Sequence, residues 1–381
     1  MKKTLVIVGM IESSHFRKWL KATINTELFN NVIVIPSDYP VNKFSFKCLG
    51  LEGKQKSKLK VFRLPIGKKL NNIVFRILDL VFGLSWRALI LFIAIKIYRP
   101  TFVHFQELQH GGYMYNEKIF RANKKRTYKL ICSTWGSDLI LYGKLSSHES
   151  SLTKLLSKTD VLTAERVDDE EIARKLNYTS KFLAPIYITV GAKIESKIQS
   201  NKTSDRKMIL IKGYQDNHGR ALNALAALTL IEAHLFGYKI RVFSASTSVQ
   251  IQVDYLKSNS SLDIEVVKRT SNIEIKNYFN KSRIYIGLAI SDGLSTSMVE
   301  AMEHGAFPIQ SANSAAGIFI KNGSSGFIVD PWNIAEVASC IKRAVEDNKM
   351  VDSAATENLN VLEKKYSYET GLNHIRELYK S

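Results

Sequence analysis

The sequence predicts an α/β protein made of two successive Rossmann-like domains. Three observations carry this. Short apolar runs alternate with helical patterns, the arrangement that yields a parallel sheet with crossover helices. The alternation stops in an irregular stretch rich in lysine and serine, then begins again at Met208. Finally, 381 residues at 45% hydrophobic content suffice for two or three domains, each with a core.

In chain order, Thr4–Val8 reads as a first buried strand and Phe16–Thr26 as a helix. Asn31–Pro36 and Val61–Leu64 are the next strands, and the apolar stretch Ile73–Tyr98 is a long helix. Strand Thr101–Phe105 follows the helix-ending Pro100. Strand Lys129–Ser133, helix Ser150–Leu156 and strand Asp160–Ala164 complete the first series. The acidic run Asp168–Glu171 favours a helix start through the macrodipole. Pro185–Arg206 reads as a linker. The second series runs strand Met208–Ile211, helix Leu222–Phe236, strands Ile240–Ser244 and Ile264–Val267, helix Ile273–Asn280 and strand Ile284–Leu288. It continues through helix Ser297–His304 and strands Phe307–Gln310 and Gly326–Val329 to two closing helices, Ile334–Asp347 and Tyr368–Tyr379. The domains expected are 1–187, a linker 188–207, a second domain 208–360 and a last helix 361–381. Ligands of such sheets bind at the carboxyl ends of the strands.

The formal charge of +19 asks for an anionic partner: nucleic acid, anionic lipid or a phosphorylated ligand. Cys48, Cys132 and Cys340 lie far apart with no CxxC pair, which excludes a disulfide framework or zinc ribbon and fits a reducing compartment. The start MKKTLVIVGM imitates a signal peptide, but Glu12 and His15 follow without a small-residue cleavage site. Arg76, Asp79, Arg87 and Lys96 interrupt the stretch Ile73–Tyr98, so no run reaches the roughly 18–20 residues of a bilayer span. Just before it, nine basic residues between Lys43 and Lys69 face only Glu52. This is either a solvated basic loop or a contact with an anionic membrane. A cytoplasmic protein, peripheral at the inner face of the plasma membrane in the second case, is the expectation.

The most informative segment is Ile290–Ser311, ISDGLSTSMVEAMEHGAFPIQS: a strand end, a Gly-containing loop and a helix. Backbone N–H groups at such a helix start receive phosphate oxygens, and Ser295, Thr296 and Ser297 add hydroxyls. Ser297 and Glu300 also have the spacing of a capping box, which would leave Glu300 a purely structural role. In Ile209–Leu228, Lys212 and Arg220 flank a polar loop and would both suit a pyrophosphate.

The Asp292–Glu300 segment, with Ala301, Gly305 and Pro308, resembles the signature of the retaining glycosyltransferases of family 4, which have the GT-B fold. That resemblance implies two Rossmann-like domains facing a cleft, with a C-terminal helix crossing back to the first. It implies transfer of a sugar from a nucleotide-sugar donor to a hydroxyl with retention, the leaving phosphate helping to accept the proton. No metal or other cofactor is expected. Glu300 would bind the ribose hydroxyls and Asp292, here in place of the family's Glu, the donor sugar. Gly293, Leu294, Ser295 and Thr296 would lie near the pyrophosphate and sugar, and Gly213 and Thr270 complete the donor-binding set. Lys212 and Arg220 would stabilise the leaving diphosphate, although Tyr214 and Gly219 stand where the family carries its Arg and Lys. In the first domain the resemblance points to Gly9, His15, Trp135 and Asp138 for the acceptor and cleft side, and the polar residues Glu107 and His110, at the carboxyl end of strand Thr101–Phe105, suit an acceptor pocket. Trp135 replaces the family's His in a W-G-S-D segment, where Asp138 would orient the loop or cap a helix.

The resemblance and the basic stretch together imply a glycan or polyprenyl-diphosphate-linked acceptor in bacterial surface polysaccharide assembly. Three rivals stand beside it. A sugar-nucleotide epimerase of similar fold is opposed by the Asp292–Glu300 segment. A nucleic-acid-binding protein lacks a helix-turn-helix, zinc finger or RNP motif. A non-catalytic homologue stays open because of the departures at Asp292 and Trp135.

Overall fold

The chain divides into two units, one formed by Met1–Gly191 with Tyr368–Ser381, the other by Ala192–Ser367. The computed structural model describes residues 3–37, 49–51, 53–62, 77, 85–121, 126–194, 201–268 and 272–380. Cys48, Thr270, most of the basic stretch and residues 73–76 and 78–84 of the apolar stretch that follows it lie outside the described residues.

In the first unit the strands are β1 (Thr4–Gly9), β2 (Asn31–Pro36), β3 (Leu59–Val61), β4 (Phe102–Phe105), β5 (Lys129–Ser133), β6 (Val161–Thr163) and β7 (Lys181–Leu183). The helices are α1 (Ser14–Asn25), α2 (Gly53–Lys58), α3 (Trp86–Tyr98), α4 (Lys118–Arg121), α5 (Ser146–Leu156), α6 (Asp169–Lys175) and, at the far end of the chain, α13 (Tyr368–Leu378). The strands pair in parallel in the order β3-β2-β1-β4-β5-β6-β7. β1 is apolar on both faces because both are covered, the signature of a parallel sheet. Val6, Val8, Ile33 and Ile35 turn to the α3 side, while Leu5, Ile7, Val32 and Val34 turn to α1 and α13.

The second unit holds β8 (Met208–Lys212), β9 (Lys239–Phe243), β10 (Asp263–Val266), β11 (Ile284–Gly287), β12 (Phe307–Ser311) and β13 (Phe327–Val329). Its helices are α7 (Ala221–Leu230), α8 (Thr247–Asn259), α9 (Asn272–Lys281), α10 (Thr296–Glu303), α11 (Ile334–Glu346) and α12 (Asn348–Lys365). The parallel order is β10-β9-β8-β11-β12-β13. Counted within each unit, both sheets start in their middle, wind out to one edge, then return to strand four beside strand one. That is the doubly wound order, with its switch point beside the first strand.

Several expected elements shift. Gly53–Lys58, read as part of a basic loop, forms α2, and α8, α12 and β7 were not anticipated. Helix α7 ends at Leu230, followed by a 3-10 turn at Glu232–His234. The expected linker is anchored at both ends. Ile186, Tyr187, Ile188 and Val190 are buried in the first unit. In the second, Thr203 Oγ1 donates to Gly305 O (2.7 Å) and Arg206 Nη1 to His304 O (2.8 Å) and Ser282 O (3.1 Å). Arg283, fully buried, donates to Ser204 O (2.7 Å), Ala344 O (2.9 Å) and Val345 O (2.9 Å). These guanidiniums meet orphan carbonyls at helix C-termini, where positive charge is favoured.

Helix α13 packs so closely on the segment that follows β7 that a Cβ on Gly371 would fall 1.7 Å from Val190 O. Its end is tied by a buried polar chain. Tyr379 Oη meets His104 Nδ1 at 2.7 Å, His104 Nε2 meets Ser133 Oγ at 2.7 Å, and Ser133 Oγ meets Thr163 Oγ1 at 2.7 Å. Complete burial drives the His104 imidazole down to about 3. Between that value and the ordinary 6.5, the unfolded chain binds a proton that the folded chain refuses. His104 therefore withdraws stability as pH falls through this window. Asp138 and Asp169, pushed up to about 8 and about 7 by burial, act in the opposite sense. The quantity to measure is thus the difference between wild type and H104N. From pH 7.5 to 5.5 the wild type is expected to lose about 1.4 kcal/mol relative to H104N. Urea unfolding followed by the emission of Trp19, whose ring lies 5.8 Å from His104, checks this; parallel curves refute it.

Candidate functional site

In the second unit the site forms at the switch point between β8 and β11. Lys212 is the last residue of β8, and its side chain is a fifth exposed. The loop that follows is fixed by its own chemistry. Asp216 Oδ1 accepts from His218 N (2.8 Å) and Gly219 N (2.7 Å), an Asx turn. A Cβ on Gly219 would sit 2.2 Å from Tyr214 O, so the return of the loop upon itself requires glycine. The loop is then pinned to the end of β11: Arg220 N donates to Leu288 O (3.0 Å) and Ile290 N to His218 O (2.8 Å). Gly213 permits a second close approach, since a Cβ there would fall 2.7 Å from Ala245 Cα.

Beyond β11, Asp292 N donates to Asn313 O (2.9 Å) and Ala315 N to Gly293 O (3.0 Å), which hold the 291–295 loop. Asp292 Oδ2 lies 3.8 Å from Lys212 Nζ, and the same ammonium lies 4.9 Å over the Tyr214 ring. Burial alone would lower the Lys212 pKa. The Asp292 carboxylate, with smaller help from Tyr285, Tyr214 and Asp216, outweighs it, and the net shift is upward. Beneath this pair the fully buried Tyr285 phenol is pushed up to about 12 by burial, against the pull of Lys212 and Ser295. It stays neutral at physiological pH.

The capping box is not formed. Helix α10 starts at Thr296 with Ser295 as its N-cap residue, and Ser295 makes no side-chain cap bond. Ser297 is therefore inside the first turn and Glu300 more than a turn in. The structural role read from their spacing falls away because the helix begins two residues earlier than that spacing requires. Both residues instead line a pocket of about 620 Å³, together with Tyr214, Phe243, Val267 and Lys268. Of the expected donor set, Lys212, Asp292, Glu300, Gly213 and 293–296 thus converge on this end of the sheet.

Arg220 sits at the same end but is engaged by its surroundings. Its Nη1 donates to Asp216 O (3.0 Å) and Gly219 O (2.6 Å), and the guanidinium carbon lies 4.5 Å over the Trp332 ring. Trp332 and Tyr285 were missed by sequence reasoning. Trp332, just past β13, carried a legible signal as a bulky aromatic at a strand's carboxyl end. Tyr285 looked like ordinary strand core.

In the first unit the expected acceptor-side residues also follow the switch-point strands β1 and β4, or β5 beside them. Gly9 ends β1, and a Cβ there would strike Phe16 at 2.4 Å, so it is required for packing α1. His15 and Trp135 meet edge to face at 6.2 Å. Glu107 is buried; its Oε1 accepts from Ser37 Oγ (2.5 Å) and its Oε2 lies 3.2 Å from Nδ1 of the exposed His110. The hydrogen bond to Glu107 raises the His110 pKa. Asp138 Oδ2 accepts from Leu108 N (2.9 Å) and Trp135 N (3.0 Å), so this carboxyl group orients two loops.

The family model described as glycosyl transferases group 1 matches residues 194–359. No curated protein matches the chain in sequence. Similar solved structures span the whole length. HepE of Anabaena, in complex with UDP and glucose, is 13% identical with a TM-score of 0.69, covering 99% of both chains. Sucrose-phosphate synthase from Thermosynechococcus elongatus is 12% identical with a TM-score of 0.72, over 100% of this chain and 98% of that one. The fold is GT-B. A glycosyltransferase from Rickettsia africae shares it, at 16% identity and a TM-score of 0.70, over 100% of this chain and 98% of that one.

The loop geometry makes a stability prediction. Gly219→Ala is expected to destabilise the second unit by about 1–3 kcal/mol, the usual cost of forcing a group into a filled space. Gly317→Ala, where a Cβ meets nothing closer than 3.9 Å, is expected to change stability by less than about 0.5 kcal/mol. Urea unfolding of the two variants checks the contrast; equal midpoints refute it.

Proposed function

We propose that this protein is a retaining glycosyltransferase that moves a sugar from a nucleotide-sugar donor to a hydroxyl of a glycan or lipid-linked acceptor. The observation that carries the reading is the convergence of Lys212, Asp292 and Glu300 at the switch point of the second sheet. The group 1 match over residues 194–359 supports the same class, and similar structures hold UDP, UDP with glucose, or UDP-glucose.

In this reading the nucleoside occupies the 620 Å³ pocket, where Glu300 binds the ribose hydroxyls. Lys212, Arg220 and the N–H groups at the start of α10 meet the diphosphate. Preorganised cations and N–H dipoles stabilise negative charge as it builds on the leaving group, and such stabilisation commonly lowers the barrier more than any other single effect. Asp292 contacts the donor sugar and holds Lys212 charged. The departing phosphate takes the proton of the attacking hydroxyl, and neither metal nor separate base takes part.

The acceptor belongs to surface polysaccharide assembly, and the first unit meets an anionic membrane. The described part of the basic stretch and the helix beyond it support this: Lys56 and Lys60 are exposed, and α3 presents Ile93 and Ile97, 38% and 61% exposed, beside Lys96. An amphipathic basic face binds anionic lipid through both apolar burial and charge.

Two experiments test this. Among UDP-, GDP- and other sugar nucleotides, at least one is expected to raise the unfolding temperature, because a ligand of the native state stabilises it. By calorimetry, E300A is expected to bind that donor about tenfold more weakly, a loss of roughly 1.4 kcal/mol. Unchanged affinity in a folded variant removes the ribose assignment. Separately, the protein is expected to co-sediment with phosphatidylglycerol-containing vesicles but not with neutral ones. Neutralising the lysines of 43–69 should abolish this, and equal sedimentation would remove the membrane contact.

A further inference from the structure

The carboxyl end of the second sheet carries an arrangement that the donor reading leaves unexplained. The Arg220 guanidinium is folded back on its own loop and stacked on Trp332 at 4.5 Å. Trp332 is 58% exposed, so core packing does not call for an indole there. It is nevertheless held in place. Its backbone N–H donates to Asp330 Oδ1 (3.0 Å), Asn223 Nδ2 donates to the preceding Pro331 O (2.7 Å), and the following Asn333 caps α11 by accepting from Glu336 N (3.1 Å). Arg220 is anchored too, through its backbone N–H on Leu288 O, so its side chain can swing without moving the loop.

We propose that Trp332 is a positioning residue that parks Arg220 in the donor-free protein, and that a diphosphate at the ends of β8 and β11 draws the guanidinium off the indole. The inference rests on the donor reading above. Phosphate oxygens accept paired, charge-assisted bonds from a guanidinium, stronger than its bonds to neutral carbonyls. Trp is the ring that holds a cation best, yet at an exposed site the contact is weak enough to be exchanged. Parking therefore competes with the ligand. The indole sets how much diphosphate affinity is withheld, and it keeps the guanidinium next to the place where negative charge arrives.

A double-mutant cycle separates this from a merely structural role. UDP, GDP and inorganic pyrophosphate are titrated by calorimetry into wild type, W332L, R220Q and the double variant. W332L is expected to bind the diphosphate about two- to fivefold more tightly, the equivalent of one exposed cation–π contact. R220Q is expected to bind more weakly, and W332L should have no effect in the R220Q background. Diphosphate should also change the tryptophan emission of wild type, and that change should be lost in W332F. W332L affinity equal to or weaker than wild type, or an equal W332L effect with and without Arg220, overturns the proposal while leaving the donor reading intact. Failure of all three probes to bind wild type overturns both.

Discussion

The site of the second unit depends on one constraint: the loop after β8 is bonded to the end of β11. Lys212 and Asp292 belong to distant parts of the sequence. They meet because Arg220 N and Ile290 N bind across the two strand ends, and because Gly219 lets the loop fold back on Tyr214 O. Each such hydrogen bond is worth only about 1 kcal/mol net, so the arrangement stands on several acting together. The winding order places strand four beside strand one, so the pinned pair stands at the switch point, where sheets of this order open a crevice.

The two ends of the second sheet divide the work. At the amino end, Arg206 and Arg283 are buried and consumed by carbonyls of helix ends and of the 3-10 turn Thr203–Asp205. At the carboxyl end, Lys212 and Arg220 keep some exposure and are held by contacts that a stronger anion can replace. Buried guanidiniums bonded to several carbonyls are expensive to disturb, and they make a rigid base for the carboxyl end of the sheet. In the first unit the chain from Tyr379 to Thr163 through His104 is the comparable base, tying the last helix into the sheet.

Much of this was legible in the sequence. Doubly covered strands such as Asn31–Pro36 and Lys129–Ser133 are continuous apolar runs and were bounded to the residue. Helix α12 was lost because its buried positions, Val351, Ala354, Leu359 and Leu362, are diluted by charged neighbours. Helix α2 has almost no apolar residue and is not visible to periodicity at all. At the site, Asp292, Glu300 and Lys212 were readable from motif and position. The capping box misled because S-x-x-E also occurs by chance beyond a helix start, and only that start, set by the 291–295 loop, decides. Trp332 and Tyr285 acquire meaning only through partners far away in sequence, which spacing cannot reveal.

The placement of positive charge bears on why this chain departs from the pattern it resembles. Tyr214 and Gly219 stand where cations are expected, and the structure gives both other duties: a ring under Lys212, and a turn that no side chain would permit. In the proposed reading the cations are moved rather than lost. Lys212 sits on the strand itself, where burial lowers the pKa of an unaccompanied ammonium. Asp292 supplies the compensating charge, and the upward shift of Lys212 is the outcome of that contest. A carboxylate within 3.8 Å thus has two effects. It keeps the ammonium charged, and by neutralising it in the resting protein it limits attraction for adventitious anions. In the proposed reading, a ligand gains the full charge only by also satisfying Asp292, as the hydroxyls of a sugar joined to a diphosphate would. A fully ionised diphosphate brings no such donors, so in that reading the pair favours the intact donor over its fragments.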